Sequence, residues 1–262
     1  MNRELLAASV QAYIQEKAHA QPAAIALQKS PFAAVSASEL AQQVAGRQRA
    51  AKQLPAWAAA PGIYYPAKLN LEQCSSAETG AFKASLIPQG SRLIDLTGGF
   101  GVDSFYFAQR AQHVEHCELN ADLSDIVAHN FKALQQHNVH CHCGDGIAHL
   151  AQRPQDFDYI YSDPSRRVQQ QKVFRMEDCE PNIAAQQSLL LQKAPVVITK
   201  LAPLLDISLA LQTLRNVKDV YIVSVDNDCK ELLFVQQRGY EGIPQIHAVR
   251  LHAAQQQIFT FD

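Results

Sequence analysis

Short apolar segments alternate with helical patterns between residues 76 and 237. Apolar runs bounded by turn-forming residues predict buried strands, and apolar residues three or four positions apart predict amphipathic helices. The predicted strands cover 92–97, 113–119, 139–144, 158–163, 195–200, 217–225 and 229–237. The predicted helices cover 76–86, 102–111, 122–137, 146–151, 182–193 and 204–214. This alternation predicts an α/β fold with helices on both faces of a mostly parallel sheet.

The last two predicted strands break the alternation. Only Asp226-Asn227-Asp228 separates them, whereas a parallel crossover needs about a dozen residues. The two strands must therefore form an antiparallel hairpin within the seven-strand series.

The chain before residue 66 has a different pattern, rich in Ala and Gln with apolar residues at helical spacing. Ser36 and Glu39 have the form of a helix start, and so do Ser75 and Glu78. Prolines between 55 and 66 interrupt the helical pattern. We expect a helical N-terminal module at 1–65, an α/β domain at 66–240, and a C-terminal extension at 241–262 that forms a hairpin or begins a further domain.

Composition narrows the class of protein. A chain of 262 residues with 47% apolar content can bury a full core. It has no apolar run near the ~18 residues of a membrane span, and its six cysteines are too sparse for a secreted disulfide scaffold. The net charge is −2, yet residues 1–92 carry nine Lys/Arg against five Glu, a net +4. We expect a cytoplasmic protein with reduced thiols, no membrane partner and no sequence-specific DNA binding.

A glycine-dense turn follows the first predicted strand, in the segment Asp95-Leu96-Thr97-Gly98-Gly99-Phe100-Gly101. A strand that runs through such a turn into a helix brings backbone N–H groups close to a ligand. The turn does not match the dinucleotide pattern G-x-G-x-x-G, because Ser104 stands at the third glycine position. A nucleotide-like ligand is therefore predicted, but a pyrophosphate site is disfavoured.

Acidic residues end the next two predicted strands. Glu118 lies where a carboxylate can accept from both ribose hydroxyls, and Asp145 lies where it can meet an adenine amino group. Either carboxylate could instead cap a helix. Together with the glycine turn, the ordered pair predicts an adenosine-type cofactor.

These motifs, with Asp163-Pro164-Ser165-Arg166-Arg167, resemble class I S-adenosylmethionine-dependent methyltransferases. More narrowly, 62–66, 71–76 and 230–233 resemble bacterial RNA methyltransferases that have a helical N-terminal part and often a THUMP-like C-terminal domain. The resemblance covers about residues 60–240. It implies a small helical N-terminal domain, followed by a Rossmann-like seven-stranded methyltransferase sheet that is mostly parallel with one antiparallel hairpin strand. It also implies the cofactor S-adenosyl-L-methionine and methylation of a base nitrogen of RNA, in tRNA or rRNA.

The resemblance implies a role for each site residue. It implies that the methionine moiety of the cofactor contacts the turn residues Asp95, Thr97, Gly98, Gly99 and Gly101. It implies that Glu118 contacts the ribose and Asp145 the adenine. It also implies that the site is closed by Gln73, Ser75 and Ser76. Catalysis is implied for Asp163 and Pro164, with no metal or covalent residue needed. For the substrate it implies Ser165, Arg166, Arg167, Lys172 and Arg175. The basic residues of this loop could instead pair with Glu177, Asp178 or Glu180.

Other chemistries remain open or are disfavoured. Ser165 and Arg166 replace the second proline and the aromatic residue that amine-methylating enzymes usually have, so stacking must come from elsewhere, such as Phe174, or the substrate is not a splayed base. A small-molecule or protein methyltransferase and a non-catalytic RNA-binding module therefore remain alternatives. Methylation of uracil C5 is disfavoured because no cysteine follows strand 195–200. Structural zinc at 140–143 is disfavoured because alternate strand residues face opposite ways.

Overall fold

The computed structural model describes residues 1–154, 157–166, 176–252 and 255–261. The α-helices are α1 (Ala8–Glu16), α2 (Pro22–Ala26), α3 (Ala37–Gln53), α4 (Pro55–Ala59), α5 (Lys68–Gln73), α6 (Ala77–Ser85), α7 (Val102–Ala108), α8 (Ala121–Ala133), α9 (Gly146–Ala151), α10 (Ile183–Lys193) and α11 (Ile207–Thr213). The strands are β1 (Arg92–Asp95), β2 (His113–Glu118), β3 (Val139–Cys143), β4 (Tyr159–Ser162), β5 (Ser165–Arg166), β6 (Cys179–Glu180), β7 (Val196–Leu201), β8 (Val217–Val225), β9 (Asp228–Gln237), β10 (Gln245–His252) and β11 (Gln255–Phe261). Short 3-10 helices lie at Arg3–Leu6 and Met176–Asp178.

The main sheet has the strand order β11-β10-β8-β9-β7-β4-β1-β2-β3. β3, β2, β1, β4 and β7 form a parallel series, and β9 lies antiparallel between β7 and β8. The predicted α/β class and the predicted antiparallel hairpin are therefore confirmed. At the hairpin turn, Asp226 and Asn227 have φ values of 52° and 67°, which Asp and Asn tolerate better than most residues.

The prediction of a seven-stranded sheet is wrong, because the described residues form a main sheet of nine strands. β10 pairs in parallel with β8, from Gln245 opposite Asp219 to Leu251 opposite Val225, and β11 then folds back against β10. Buried and exposed residues alternate along β10, so that Val249 and Leu251 extend the apolar face of the sheet. The last segment of the chain thus joins the same sheet.

The two predicted helix starts have different outcomes. Ser36 caps α3 in a complete capping box with Glu39, as predicted. The predicted start at Ser75 is wrong by one residue, because Ser76 is the N-cap of α6 and accepts from Thr79 N at 3.4 Å. Ser75 is buried instead, and its hydroxyl is used in contacts with other elements.

The N-terminal helices pack directly on the helices of the sheet. The Trp57 ring contacts Phe100 and Phe105, with centroids 6.0 and 4.7 Å away. Backbone N and O of Tyr64 each form a 2.9 Å hydrogen bond with the Asn130 side chain. One apolar cluster includes residues from both regions, so the division at residue 65 stays a prediction.

The sheet buries different side chains on its two faces. Leu93, Val114 and Ile198 belong to the cluster shared with the N-terminal helices. Ile94 and Val197, one position away, belong to a second cluster that includes residues of α9 and α10. Among the described helices, none is long and apolar enough to cross a membrane.

Candidate functional site

The carboxyl ends of β1 and β4 are joined directly. These strands are parallel neighbours, so their ends meet at one edge of the sheet. Asp163 N, just after β4, donates to Thr97 Oγ1 at 2.6 Å. Two turns that the sequence singled out separately therefore form one continuous surface.

Two glycines in the turn after β1 have no room for a side chain. A Cβ on Gly98 would lie 2.1 Å from His116 Nε2, and one on Gly101 would lie 2.8 Å from Phe131 Cζ. Gly101 also has a φ of +81°, which favours glycine. The turn is thus packed tightly against β2 and α8.

His116 lies beneath this turn and is fully buried. Neither ring nitrogen has a hydrogen-bond partner within the described ranges. Burial lowers the pKa of His116 to about 4, so the imidazole is neutral at physiological pH.

Asp95 is a buried support for the turn. Its carboxylate accepts from Thr97 N at 3.1 Å and from the Ser104 hydroxyl at 2.7 Å. Burial raises the pKa of Asp95 to about 7, although both hydrogen bonds act in the opposite direction. At neutral pH the Asp95 carboxyl group is therefore protonated in a substantial fraction of the molecules.

Glu118, at the end of β2, is held at both carboxylate oxygens. Oε2 accepts from Gly99 N at 3.0 Å, and Oε1 accepts from Asn120 N at 2.7 Å. Each oxygen still has lone-pair capacity, because a carboxylate offers about four acceptor sites. The side chain is half-buried, so a fixed acceptor lies beside the glycine turn.

Asp145 acts as a helix cap, as the alternative interpretation allowed. Its Oδ1 accepts from Ile147 N at 2.8 Å and from Ala148 N at 3.1 Å, at the start of α9. The next residue, Gly146, approaches the end of β1 so closely that a Cβ would lie 2.5 Å from Leu96 O. Asp145 itself is exposed. The contact of Gly146 with Leu96 brings it next to the glycine turn.

The three predicted residues before α6 do not share one environment. Gln73 is exposed at the end of α5, and Ser76 caps α6. Ser75 donates to Asp103 Oδ2 at 3.0 Å and accepts from Lys83 Nζ at 2.8 Å. Of the three, Ser75 contacts the group of charged residues described next.

A buried group of charged side chains lies behind the strand ends, and the sequence analysis missed it. Lys83 Nζ lies 3.0 Å from Asp103 Oδ1 and 2.8 Å from Glu231 Oε2. The Tyr161 hydroxyl donates to Asp103 Oδ2 at 2.7 Å. Lys83 is 0% exposed and Glu231 is 2% exposed. These four residues, with Ser75, form what we call the buried ionic cluster.

The two carboxyl groups of the buried ionic cluster differ in acidity. Burial opposes the charge on Asp103, but Lys83, Lys200 and the Tyr161 hydroxyl outweigh it and lower the pKa of Asp103. For Glu231 burial prevails over the two lysines and raises the pKa. Asp103 therefore holds the negative charge more firmly than Glu231.

Lys200, near the end of β7, pairs with the predicted catalytic acid. Its Nζ lies 2.5 Å from Asp163 Oδ2, and the two side chains are 14% and 33% exposed. Pro164 is buried beside them. The acid after β4 is therefore one half of an ion pair, which the sequence analysis did not predict.

The predicted substrate loop is described only at its two ends. Ser165 and Arg166 form β5, which pairs with β6 where the sequence predicted a loop. The Ser165 hydroxyl donates to Glu180 O at 3.4 Å. Arg167, Lys172, Phe174 and Arg175 lie outside the described residues.

The sequence contains only a weak indication that Lys83 and Lys200 form buried ion pairs. Lys83 interrupts the apolar face of a helix, and Lys200 lies near the end of an apolar strand, next to the strand that Asp163 follows. A charged residue at such a position is rarely buried without a partner.

No group of three or more His, Cys, Asp and Glu residues that could hold a metal ion occurs in the part of the chain that the structure describes.

Solved structures include proteins with a similar fold, whereas no family model and no curated protein matches the chain. Several of these structures are named as putative methyltransferases. The one from Porphyromonas gingivalis W83 has a TM-score of 0.85 and 29% identity, over 99% of this chain and 65% of that chain. One from Escherichia coli has a TM-score of 0.45 and 14% identity, over 66% and 88% of the two chains. One from Streptococcus mutans, in complex with SAH, has a TM-score of 0.43 and 13% identity, over 60% and 93%.

The first of these similarities confirms a methyltransferase-like α/β fold. This chain spans 65% of the length of the Porphyromonas protein, so that protein's activity does not transfer directly. The other two similarities are too low to support an inference.

Proposed function

We propose that this protein is an S-adenosyl-L-methionine-dependent methyltransferase that methylates a base nitrogen of RNA, in tRNA or rRNA. The observation that carries the proposal is the 2.6 Å hydrogen bond from Asp163 N to Thr97 Oγ1. It makes the glycine turn and the acid–proline turn neighbours, so a donor at one and an acceptor at the other would meet. Methyl transfer depends mainly on such positioning.

The residues at the strand ends fit the proposed cofactor. The glycine turn has no space for side chains at Gly98 and Gly101, and its backbone is therefore the surface available to the methionine moiety. Glu118 is held at both oxygens by backbone N–H groups, as an acceptor for ribose hydroxyls should be. Asp145 is exposed beside the turn, where it would meet adenine.

When bound, S-adenosyl-L-methionine would supply the methyl group from a positively charged sulfur, which would keep the electron pair of the S–C bond, while the acceptor nitrogen would provide the pair for the new N–C bond. In the proposed reaction, Asp163 accepts a hydrogen bond from the acceptor nitrogen and thereby directs its lone pair. Pro164 stiffens the turn that carries this carboxylate. The proton that the nitrogen loses passes to solvent water.

The segment that follows Asp163 in sequence is the proposed contact with the RNA backbone. Ser165, Arg166, Arg167, Lys172 and Arg175 bring four positive charges to this stretch of sequence, and phosphate contacts position a nucleic acid without reading its sequence. We also propose how the chain is divided into domains. A helical N-terminal module covers 1–65, the catalytic domain covers 66–240, and a C-terminal extension covers 241–262.

Mass spectrometry of modified nucleosides tests the proposed RNA target. RNA from cells with and without the protein should differ in one methylated nucleoside, and reintroducing the wild-type chain should restore it. Asp163→Asn should restore it about 10- to 100-fold less efficiently, because the charged hydrogen bond that directs the lone pair of the acceptor nitrogen is lost. Asp122→Asn is the matched control, since its side chain is 87% exposed and should restore methylation fully.

The alternatives give different results. Identical nucleosides in both cell types, with tritiated methyl incorporated into protein or small molecules, would favour a different substrate. Full restoration by Asp163→Asn would remove Asp163 from the chemistry. Cofactor binding without transfer to any pool would favour the non-catalytic RNA-binding module.

A further inference from the structure

The Lys200–Asp163 ion pair lies at the proposed acceptor position. β4 and β7 are parallel neighbours in which Ser162 pairs with Thr199, so the next residue on each strand reaches the same edge. Lys200 Nζ contacts Asp163 Oδ2 at 2.5 Å. The side chains are 14% and 33% exposed, so a ligand at the strand ends can reach both.

The ion pair leaves one acceptor and two donors available. The hydrogen bonds of Asp163 to described residues are those from its N to Thr97 Oγ1 and from Lys200 to its Oδ2. Its Oδ1 therefore remains an acceptor, on a carboxylate held by Lys200 and carried by a backbone that is bonded to Thr97. An ammonium group has three donors, so Lys200 keeps two after it bonds to Asp163.

Lys200 remains positively charged under physiological conditions. Burial opposes its charge, but the carboxylates of Asp163, Asp103 and Glu231 outweigh burial and raise the pKa of Lys200. Lys200 therefore cannot act as a base in the reaction. It can act as a hydrogen-bond donor and as a fixed positive charge.

We propose that Lys200 is a specificity-determining residue, which together with Asp163 recognises the edge of a nucleobase and rejects aliphatic amines. This inference rests on the proposed methyltransferase function and specifies its substrate. The recognised edge carries an N–H, which bonds to Asp163 Oδ1, next to an acceptor atom, which bonds to Lys200 Nζ.

The hydrogen-bonding groups of the ion pair separate the two classes of acceptor. An aliphatic amine has a pKa of about 10 and is a cation with donors only at neutral pH. It would bond to Asp163 but leave the two remaining donors of Lys200 without an acceptor. A nucleobase edge is uncharged and presents a donor beside an acceptor, which matches the two free groups of the ion pair.

Three variants isolate this role. Lys200→Met removes the charge and the donors, and Lys200→Arg keeps both. Lys17→Met is the matched control, because Lys17 pairs with Glu16 at 2.8 Å in the N-terminal helical region. Thermal unfolding and calorimetric titration with S-adenosyl-L-methionine report whether each variant is folded with an intact cofactor site.

Binding of small probes to the full chain tests the inference without catalysis. The probes are the four ribonucleosides and spermidine, measured by saturation-transfer NMR in the presence of S-adenosylhomocysteine. We expect the wild type to bind at least one nucleoside and not spermidine. Lys200→Met should weaken nucleoside binding about 10- to 100-fold, as expected for loss of a charged hydrogen bond, while Lys200→Arg restores part of it and Lys17→Met changes nothing.

Two results would overturn the inference. One is spermidine binding to the wild type that is lost in Asp163→Asn. The other is nucleoside binding that is absent from the folded wild type or unaffected by Lys200→Met. The proposed function fails separately, if folded wild type does not bind S-adenosyl-L-methionine, and the nucleoside measurement still reports on Lys200 in that case.

Discussion

The strand ends of this protein are built in two different ways. The first half of the sheet, β1 to β3, ends in carboxylates that hold backbone N–H groups: Asp95, Glu118 and Asp145. The second half, β4, β7 and β9, carries side chains that pair with other charged side chains: Asp163, Lys200 and Glu231. The first arrangement fixes the backbone of the turns after these strands, and the second fixes charges relative to one another.

The two halves also differ in how far apart their partners lie in sequence. Asp95, Glu118 and Asp145 each bond to a backbone N–H two positions later. By contrast, Lys83 and Glu231 are separated by 148 positions, and Asp163 and Lys200 by 37. Local bonds are determined largely by the turn itself, whereas the ion pairs exist only when the whole sheet has assembled.

Removal of Lys83 should have the largest effect. Lys83→Met leaves Asp103 and Glu231 buried without their shared cation, which should destabilise the protein by about 3–5 kcal/mol. Urea-induced unfolding measures this loss. Lys17→Met removes a lysine whose partner is exposed and should leave the unfolding midpoint unchanged, so equal effects of the two variants would contradict the role of the buried ionic cluster.

The pH dependence of stability should reveal the burial of Asp95. Its pKa is raised from an ordinary 3.8 to about 7 in the folded protein, so the folded state binds the proton more tightly than the unfolded state. Between these values, stability should fall as pH rises, by about 1 kcal/mol per pH unit from this residue. The wild type should thus lose stability relative to Asp95→Asn from pH 4 to pH 7, measured by urea unfolding, while parallel curves would contradict the burial.

Gly98→Ala tests the close packing beneath the glycine turn. The added Cβ would lie 2.1 Å from His116 Nε2, which should cost about 1–3 kcal/mol of stability. His116→Ala in the same chain should recover part of this loss, because it removes the clashing ring. Additive effects in this double-mutant cycle, measured by thermal unfolding, would show that the two residues are not in contact.

Glu118→Gln should have the smallest of these effects. It keeps one carbonyl oxygen but loses a charged acceptor, and we expect about tenfold weaker binding of S-adenosyl-L-methionine, or about 1.4 kcal/mol. Calorimetric titration gives the value. Asp122→Asn, whose side chain is 87% exposed, should bind like the wild type, and unchanged binding in Glu118→Gln would remove Glu118 from the site.

The sequence predicted the local half of this comparison well. The glycine turn and the acids at 95, 118 and 145 follow from short-range patterns, and the structure shows each of them at a strand end. The antiparallel position of β9 also follows from a short connection. The roles of these residues toward a ligand remain predictions.

The long-range half could not be predicted in the same way. Nothing close to Lys83 in sequence indicates Glu231 as its partner, and the pairing of Lys200 with Asp163 depends on β4 and β7 being neighbours. The sequence allowed a hairpin within 241–262 but did not indicate that its strands join the main sheet, for a related reason. β10 pairs with β8, which is a non-local contact that hydrophobic alternation alone does not specify.

Calorimetric titration of the wild-type chain with S-adenosyl-L-methionine shows whether the strand ends form a cofactor site. We expect saturable binding at one site per chain, with the affinity reduced in Glu118→Gln and unchanged in Asp122→Asn. Absence of binding to protein that is folded by thermal unfolding and circular dichroism would contradict it.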